Sequence, residues 1–280
     1  MTGQRLMTGQ HLVTKQDLMR GSTDVDKRQV ARQFERAAKR YDDVATMQDG
    51  IQQHLMALLN AMPGFNPPER ILDLGCGTGS GLAQLAQQYP NARLSGVDIA
   101  PAMLQIAQQR CPTATLIDAD IEALPLPENT FDLVYSASSL QWCDHANAIA
   151  ESARVLSPGG TLAVATFGPA TLQEWRTAWA AVDETTHTLN YPDLPTILKA
   201  LNTAGIEVEN SEQEMQIQRF STPKEMLMSV KQLGATNANR QRQAGLMGKR
   251  KFDQFVHQLT TSPKRLALSY EVFYITGKKR

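Results

Sequence analysis

Residues 71–81 read ILDLGCGTGSG, and Asp98 stands 19 positions past Gly79. The apolar run suits a buried strand, and Gly75, Gly77 and Gly79 suit a turn that opens a helix. Glycine permits positive φ and lets a ligand approach the main chain with no Cβ in the way. An acid closing the next strand lies near the roughly 20-residue offset of a ribose-binding carboxylate. The pattern therefore points to a bound nucleoside. The dinucleotide fingerprint G-x-G-x-x-G fails in both frames, because the last position is Ser80 counted from Gly75 and Leu82 counted from Gly77. No G-x-x-x-x-G-K-[ST] run is present either. NAD, FAD and P-loop nucleotides lose ground accordingly.

A parallel sheet must hold these residues. RILDL (70–74) is followed by a helical pattern around 80–89, RLSGVD (93–98) by one around 101–110, and ATLIDAD (114–120) by a short connection. FDLVYS (131–136) leads to a helix around 145–156, and the PGG turn at 158–160 leads into TLAVATF (161–167). Strands alternating with helices predict an α/β fold with a doubly wound sheet. A helix at about 192–204 stops at Gly205. The late runs IEVENSEQEMQI (206–217) and LALSYEVFYITGKK (266–279) predict an antiparallel edge, giving seven mostly parallel strands. Between them, about 222–262 is helix-prone and basic and is expected to form a lid.

Ahead of the sheet, 26–62 reads as two amphipathic lid helices. Val30, Phe34, Ala37, Ala38 and Tyr41 recur at helical spacing, as do Ile51, Leu55, Leu58 and Leu59. The prolines of PGFNPPER (63–70) end them. Residues 1–25, with the near repeat MTGQRL and MTGQHL, are expected to be a disordered extension, and the main domain to span 67–280.

Composition sets the class. The chain is 42% hydrophobic and 20% charged with a net charge of zero, which excludes disordered and collagen-like readings. Cys76, Cys111 and Cys143 are too few and too widely spaced for a disulfide framework or a zinc site, and no metal is expected. No apolar run of membrane-spanning length or secretion-signal type appears, so a cytoplasmic protein with no membrane contact is expected. The zero net charge hides polarity: residues 1–40 carry nine Lys+Arg against four Asp+Glu, 41–218 six against twenty-one, and 219–280 thirteen against three. Basic ends suit an anionic partner, though the tail lacks the interleaved aromatics of a nucleic-acid binder.

DLGCGTG, Asp98 and DADIEALPLPENTFD (118–132) together resemble the class I S-adenosylmethionine-dependent methyltransferases, with a Rossmann-like fold. The resemblance implies S-adenosylmethionine as cofactor. It implies that Asp73, Gly75, Gly77 and Gly79 face its methionine end. Asp98 with Ile99 would then hold the ribose, and Asp120 with Ile121 would read the adenine. Ser136, closing the fourth strand, is placed at the cleft mouth.

FERAAKRYDDVATMQ (34–48), SLQWCDH (139–145) and LGATNANRQRQ (233–243) are similar to segments of the malonyl-[acyl carrier protein] O-methyltransferases of biotin synthesis. That family methylates the free carboxylate of a malonyl thioester carried by acyl carrier protein or coenzyme A. On this resemblance Tyr41 is the candidate catalytic residue, donating a hydrogen bond to the carboxylate. Arg36, Gln141, Trp142 and Arg240 are candidates for substrate binding. Arg240, Arg242, Lys249, Arg250 and Lys251 would steer the acidic carrier protein, and a monomer is expected. Competing readings are a methyltransferase of a free polycarboxylate such as trans-aconitate, which needs a denser arginine cluster, and a quinone C-methyltransferase, which needs a base. Beyond these stand a non-catalytic cofactor-binding assembly protein and an NAD-linked oxidoreductase. His145 is a poor base candidate, since a lone histidine before a helix more often caps it.

Overall fold

A computed structural model describes residues 25–43, 45–185, 187–232, 248–261 and 266–280. Seven strands form one sheet: β1 (Arg70–Leu74), β2 (Arg93–Asp98), β3 (Thr115–Asp118), β4 (Phe131–Ala137), β5 (Leu156–Phe167), β6 (Ile206–Arg219) and β7 (Ala267–Lys279). Their order is β3-β2-β1-β4-β5-β7-β6. The first five pair in parallel, while β7 runs antiparallel between β5 and β6. The order reverses at β1, so the carboxyl ends of β1 and β4 diverge into the crevice where doubly wound sheets take ligands.

The helices cover both faces. On one side α2 (Thr46–Ala61), α3 (Ser80–Gln88), α6 (Gln173–Ala180), α8 (Pro223–Gln232) and α9 (Lys249–Thr261) bury an apolar stripe that includes Ile51, Leu55, Leu82, Trp175 and Phe255. On the other, α5 (His145–Val155) and α7 (Leu194–Thr203) pack Ile149, Ile197 and Leu201 against Leu72, Val134 and Val164. The remaining helices are α1 (Lys27–Ala37) and α4 (Pro101–Arg110). Among the described residues no helix is long and apolar enough to cross a membrane.

The periodicity of 26–62 resolves into α1, a 3₁₀ turn at Ala38–Arg40, and α2. Tyr41 therefore follows the turn instead of extending the α1 face, yet its ring still meets Phe34 edge-on at 6.0 Å. Val25 is buried, and residues 1–24 lie outside the described ones.

Helix α6 went unread in the sequence, and it explains how the basic stretch docks. Trp179 stacks between His187 at 3.8 Å and Phe255 of α9 at 4.1 Å. Asp183 accepts from His187 at 2.8 Å and from Lys251 at 3.1 Å. Partial burial pushes the Asp183 carboxyl up, but His187, the Thr185 N–H and Lys251 outweigh it and bring it to about 2. An aromatic stack closed by a charged pair thus fastens α9 to α6 and the segment that follows it.

Candidate active site

The turn after β1 carries Gly75, Gly77 and Gly79 at φ of +71°, +52° and +81°. Two of these positions admit no side chain. A Cβ on Gly75 would lie 2.3 Å from the Ser139 Cβ, and one on Gly79 would press at 3.0 Å on Ala107 of α4. Asp98, ending β2, ties the turn down: its carboxylate accepts the Gly77 N–H and the Ala100 N–H, each at 2.9 Å. Burial raises its pKa, and the Ala100, Gly77 and Ile99 N–H groups oppose the rise. An ionised carboxylate offers about four acceptor sites, so acceptor capacity stays open toward the crevice.

The crevice is a cavity of about 890 Å³. Gly75, Gly77, Asp98, Ile99, Asp120 and Ile121 wall it from the sheet side. Helix α1 and the start of α2 roof it with Phe34, Tyr41, Gln48 and Asp49. The roof is stitched to the sheet. Glu35 accepts the Ala102 N–H at 3.0 Å, Asp42 takes the Thr78 hydroxyl at 2.6 Å and pairs with Arg110, and Asp49 takes the Ser80 hydroxyl at 3.2 Å. Lys27 opens α1 and meets Asp120 at 2.5 Å and Glu122 at 2.6 Å. Burial disfavours its ammonium, but the two carboxylates prevail and its pKa rises.

A second, smaller cavity of about 390 Å³ adjoins the first. Its wall is aromatic, with Phe167, Tyr191 and Tyr270 joining Phe34, Tyr41 and Trp142, and its polar lining comes from Gln48, Ser138, Gln141 and Thr171. Among the described residues lining the two cavities Lys27 is the one cation, and both of its partners are carboxylates. Desolvation of the half-buried Tyr41 phenol, reinforced by the Asp98, Asp42 and Asp49 carboxylates, pushes it well above its ordinary pKa. It stays protonated and can donate.

Several sequence-predicted residues stand elsewhere. Asp73 lines neither cavity; it lies buried beneath the turn, where a Cβ on Gly81 of α3 would come within 2.9 Å of its carboxylate. Gly79 serves the approach of α3 to α4. Ser136 is fully buried, its hydroxyl spent on the Leu74 carbonyl at 3.1 Å and on the Ser139 hydroxyl at 2.5 Å. Arg36 is exposed on α1 and reaches neither cavity, because the inward face of that helix belongs to Val30 and Phe34. His145 is half-buried and held neutral, with a pKa lowered to about 4 by desolvation, and lines neither cavity. Tyr41 and Trp142 line both cavities, and Gln141 lines the smaller. Arg240 and Arg242 fall outside the described residues. Among the described residues no group of His, Cys, Asp and Glu is placed to hold a metal ion.

Residues 72–164 match the family described as "Methyltransferase domain". Over 264 residues the chain is 36% identical to the malonyl-[acyl-carrier protein] O-methyltransferase of Dechloromonas aromatica, covering 93% of this chain and 97% of that one. The chain belongs to the malonyl-[acyl-carrier protein] O-methyltransferase family. A further relative, the biotin biosynthesis bifunctional protein BioHC of Cellvibrio japonicus, is 34% identical, with 91% of this chain aligned to 50% of its length. Among solved structures, geranyl diphosphate methyltransferase in complex with S-adenosylmethionine superposes with a TM-score of 0.52 at 15% identity, over 82% of this chain and 85% of that one.

This family member is a class I methyltransferase that uses S-adenosylmethionine. The larger cavity fits the donor. Asp98 keeps acceptor capacity open toward it, and the main chain at Gly77 lines it with no atom of the described residues, chain neighbours aside, within 4 Å of where a Cβ would stand. Lys27, Gln48, Tyr191 and Tyr270 were missed in the sequence. Gln48 alone had a signal: it precedes Ile51 and Leu55 at helical spacing, a polar residue on an apolar stripe.

Proposed function

We propose that this protein transfers a methyl group from S-adenosylmethionine to the free carboxylate of a malonyl thioester, giving the methyl ester that primes pimeloyl synthesis for biotin. The observation that carries this reading is the aromatic chamber beside the cofactor cleft, which holds no cation among the described residues. A di- or tricarboxylate would bury two or three charges there without a counter-ion, at a cost of several kcal/mol each. A malonyl thioester brings one.

When bound, S-adenosylmethionine supplies an electrophilic sulfonium methyl with a thioether as its leaving group. The protein then needs to position and dry the acceptor. A carboxylate with an ordinary pKa near 4 is already ionised at neutral pH, so no general base is required. Asp98 would accept the ribose hydroxyls, and the Gly75–Gly77 backbone would face the methionine end. Asp120 and Ile121 would read the adenine, Asp120 sharing its carboxylate with Lys27. Tyr41, held protonated, would donate to the carboxylate, while Phe34 and Trp142 close the chamber.

The decisive experiment incubates the protein with malonyl-acyl carrier protein and labelled donor. One added methyl group that is lost on mild base hydrolysis is expected; a base-stable gain points to another acceptor atom.

The carrier protein would dock on α9. Lys249 and Arg250 are exposed at its start, whereas Lys251 is turned to Asp183. Steering by such a patch acts chiefly on association rate. Reversing both charges (Lys249→Glu with Arg250→Glu) is expected to lower kcat/KM for carrier-bound malonate by about tenfold at low salt. Turnover of a truncated malonyl thioester should stay unchanged, and equal losses on both substrates would remove the docking role. A monomer in the cytoplasm completes this reading.

A further inference from the structure

Five residues line both cavities: Phe34, Tyr41, Gln48, Ser138 and Trp142. They form the neck through which a methyl group must pass from donor to acceptor. Gln48 is the one whose presence costs most. It lies in the first turn of α2, on the inward stripe it shares with Ile51, Leu55 and Leu59, and it is 5% exposed. An apolar residue would pack there at no polar cost. Instead the glutamine Oε1 is buried with no hydrogen-bond partner among the described residues. Unpaired buried amide oxygens are costly and correspondingly rare.

The opposite side of the neck carries the same signature. Ser138 holds a left-handed backbone at φ +61° just past β4. Its N–H donates to the Ala165 carbonyl at 2.9 Å, and its carbonyl accepts from the Gln141 amide at 2.6 Å. The Ser138 hydroxyl and the Gln141 Oε1 are both buried without partners among the described residues. Unspent polar capacity thus converges on the neck from α2 and from the β4 end. A strained residue braced from both sides is typical of a ligand clamp.

We propose that Gln48 is a specificity-determining residue that touches the acceptor, its neutral amide fixing the malonyl carboxylate at the neck opposite Tyr41. This rests on the malonyl-thioester reading above. A half turn about the last side-chain torsion exchanges Oε1 with Nε2 at nearly constant shape, so the orphaned acceptor becomes an engaged donor when an anion arrives. An arginine there would bind the carboxylate more tightly and occupy its lone pairs. An amide and a phenol orient the carboxylate while leaving a lone pair for in-line attack on the sulfonium methyl. The balance is simple: an oxygen–carbon bond forms as the sulfur–carbon bond breaks, and the electron pair returns to sulfur.

The test uses the full chain and malonyl-pantetheine as acceptor. Gln48→Met keeps the volume and removes the hydrogen bonds, and Gln48→Glu adds a charge. Loss of a hydrogen bond to a charged group predicts a fall in acceptor kcat/KM of about ten- to hundredfold for Q48M. The Kd for S-adenosylmethionine by calorimetry should change by less than about threefold, and thermal unfolding should show both variants folded. Q48E should be poorer still at pH 8 and recover toward pH 5.5, where its new carboxyl gains a proton while the malonyl carboxylate stays ionised. A packing role would give no such pH recovery. Cofactor affinity falling as far as kcat/KM, unchanged kcat/KM in Q48M, or a flat Q48E pH profile would each overturn the inference. Absence of turnover in the parent protein would overturn the malonyl reading and this inference with it; parent turnover with unaltered variants overturns the inference alone.

Discussion

Asp98→Ala is expected to weaken S-adenosylmethionine binding by about a hundred- to a thousandfold, with the protein still folded. Two losses combine. Hydrogen bonds from ribose hydroxyls to a carboxylate contribute about 1.5–3 kcal/mol each, so losing two removes at least two powers of ten. The Gly77 and Ala100 N–H groups would also lose their acceptor at the point where the glycine turn is anchored to β2. Asp98→Asn separates these losses. Its amide oxygen can hold one N–H but accepts no second pair, so its Kd should fall between parent and alanine variant. Calorimetric titration of the three proteins checks this. Unaltered affinity in D98A would place the ribose elsewhere in the cleft and remove the assignment of the β2 end.

Where the sequence was legible, one local rule sufficed. The glycine turn could be read because Gly75 and Gly79 each solve a steric problem visible in spacing alone: strand, tight turn, helix. The parallel core followed from apolar runs alternating with helical ones, and the antiparallel β6–β7 edge from two late β runs after the last crossover. Helix α6 was not legible, because its buried Trp175 and Trp179 form too short a pattern before their partner Phe255, some 80 positions later, gives them a face. Lys27 shows the same limit. A lysine beside an N-capping Asp26 reads as a solvated helix start, and only the fold brings it to Asp120, 93 residues away. Ser136 and Ser139 illustrate the converse. Both stand at the end of a strand at a ligand crevice, but a hydroxyl in that place can equally satisfy a neighbouring carbonyl, and here the pair shares a hydrogen-bond network with the Leu74 carbonyl. Position along the chain told which residues approach the crevice, not which way their polar atoms turn.

Asp73, the member of the glycine motif that lines neither cavity, bears on stability. Burial, reinforced by the Asp98 carboxylate, pushes its pKa up to about 8 from an ordinary 3.8. The folded protein therefore keeps a proton on Asp73 between about pH 4 and pH 8 that the unfolded chain has released, and over that range each pH unit costs the folded state about 1.4 kcal/mol. The contribution is complete below the unfolded pKa and disappears as pH rises through the folded one. His145 acts in the opposite sense below pH 6.5. Half-buried and neutral, with its pKa lowered to about 4, it makes the folded state bind fewer protons than the unfolded chain between about pH 4 and pH 6.5. The two slopes oppose each other there, so the clean window lies from pH 6.5 to 8. In that window the unliganded protein is expected to lose about 2 kcal/mol of unfolding free energy through Asp73. Asp73→Asn copies the protonated shape without the titration. It should abolish most of that slope and leave the variant more stable than the parent at pH 8, with the difference shrinking toward pH 6.5. Urea denaturation at the two pH values, with and without the substitution, measures it. A parent slope that survives in D73N would show that another group carries it and that Asp73 does not hold its proton over this range.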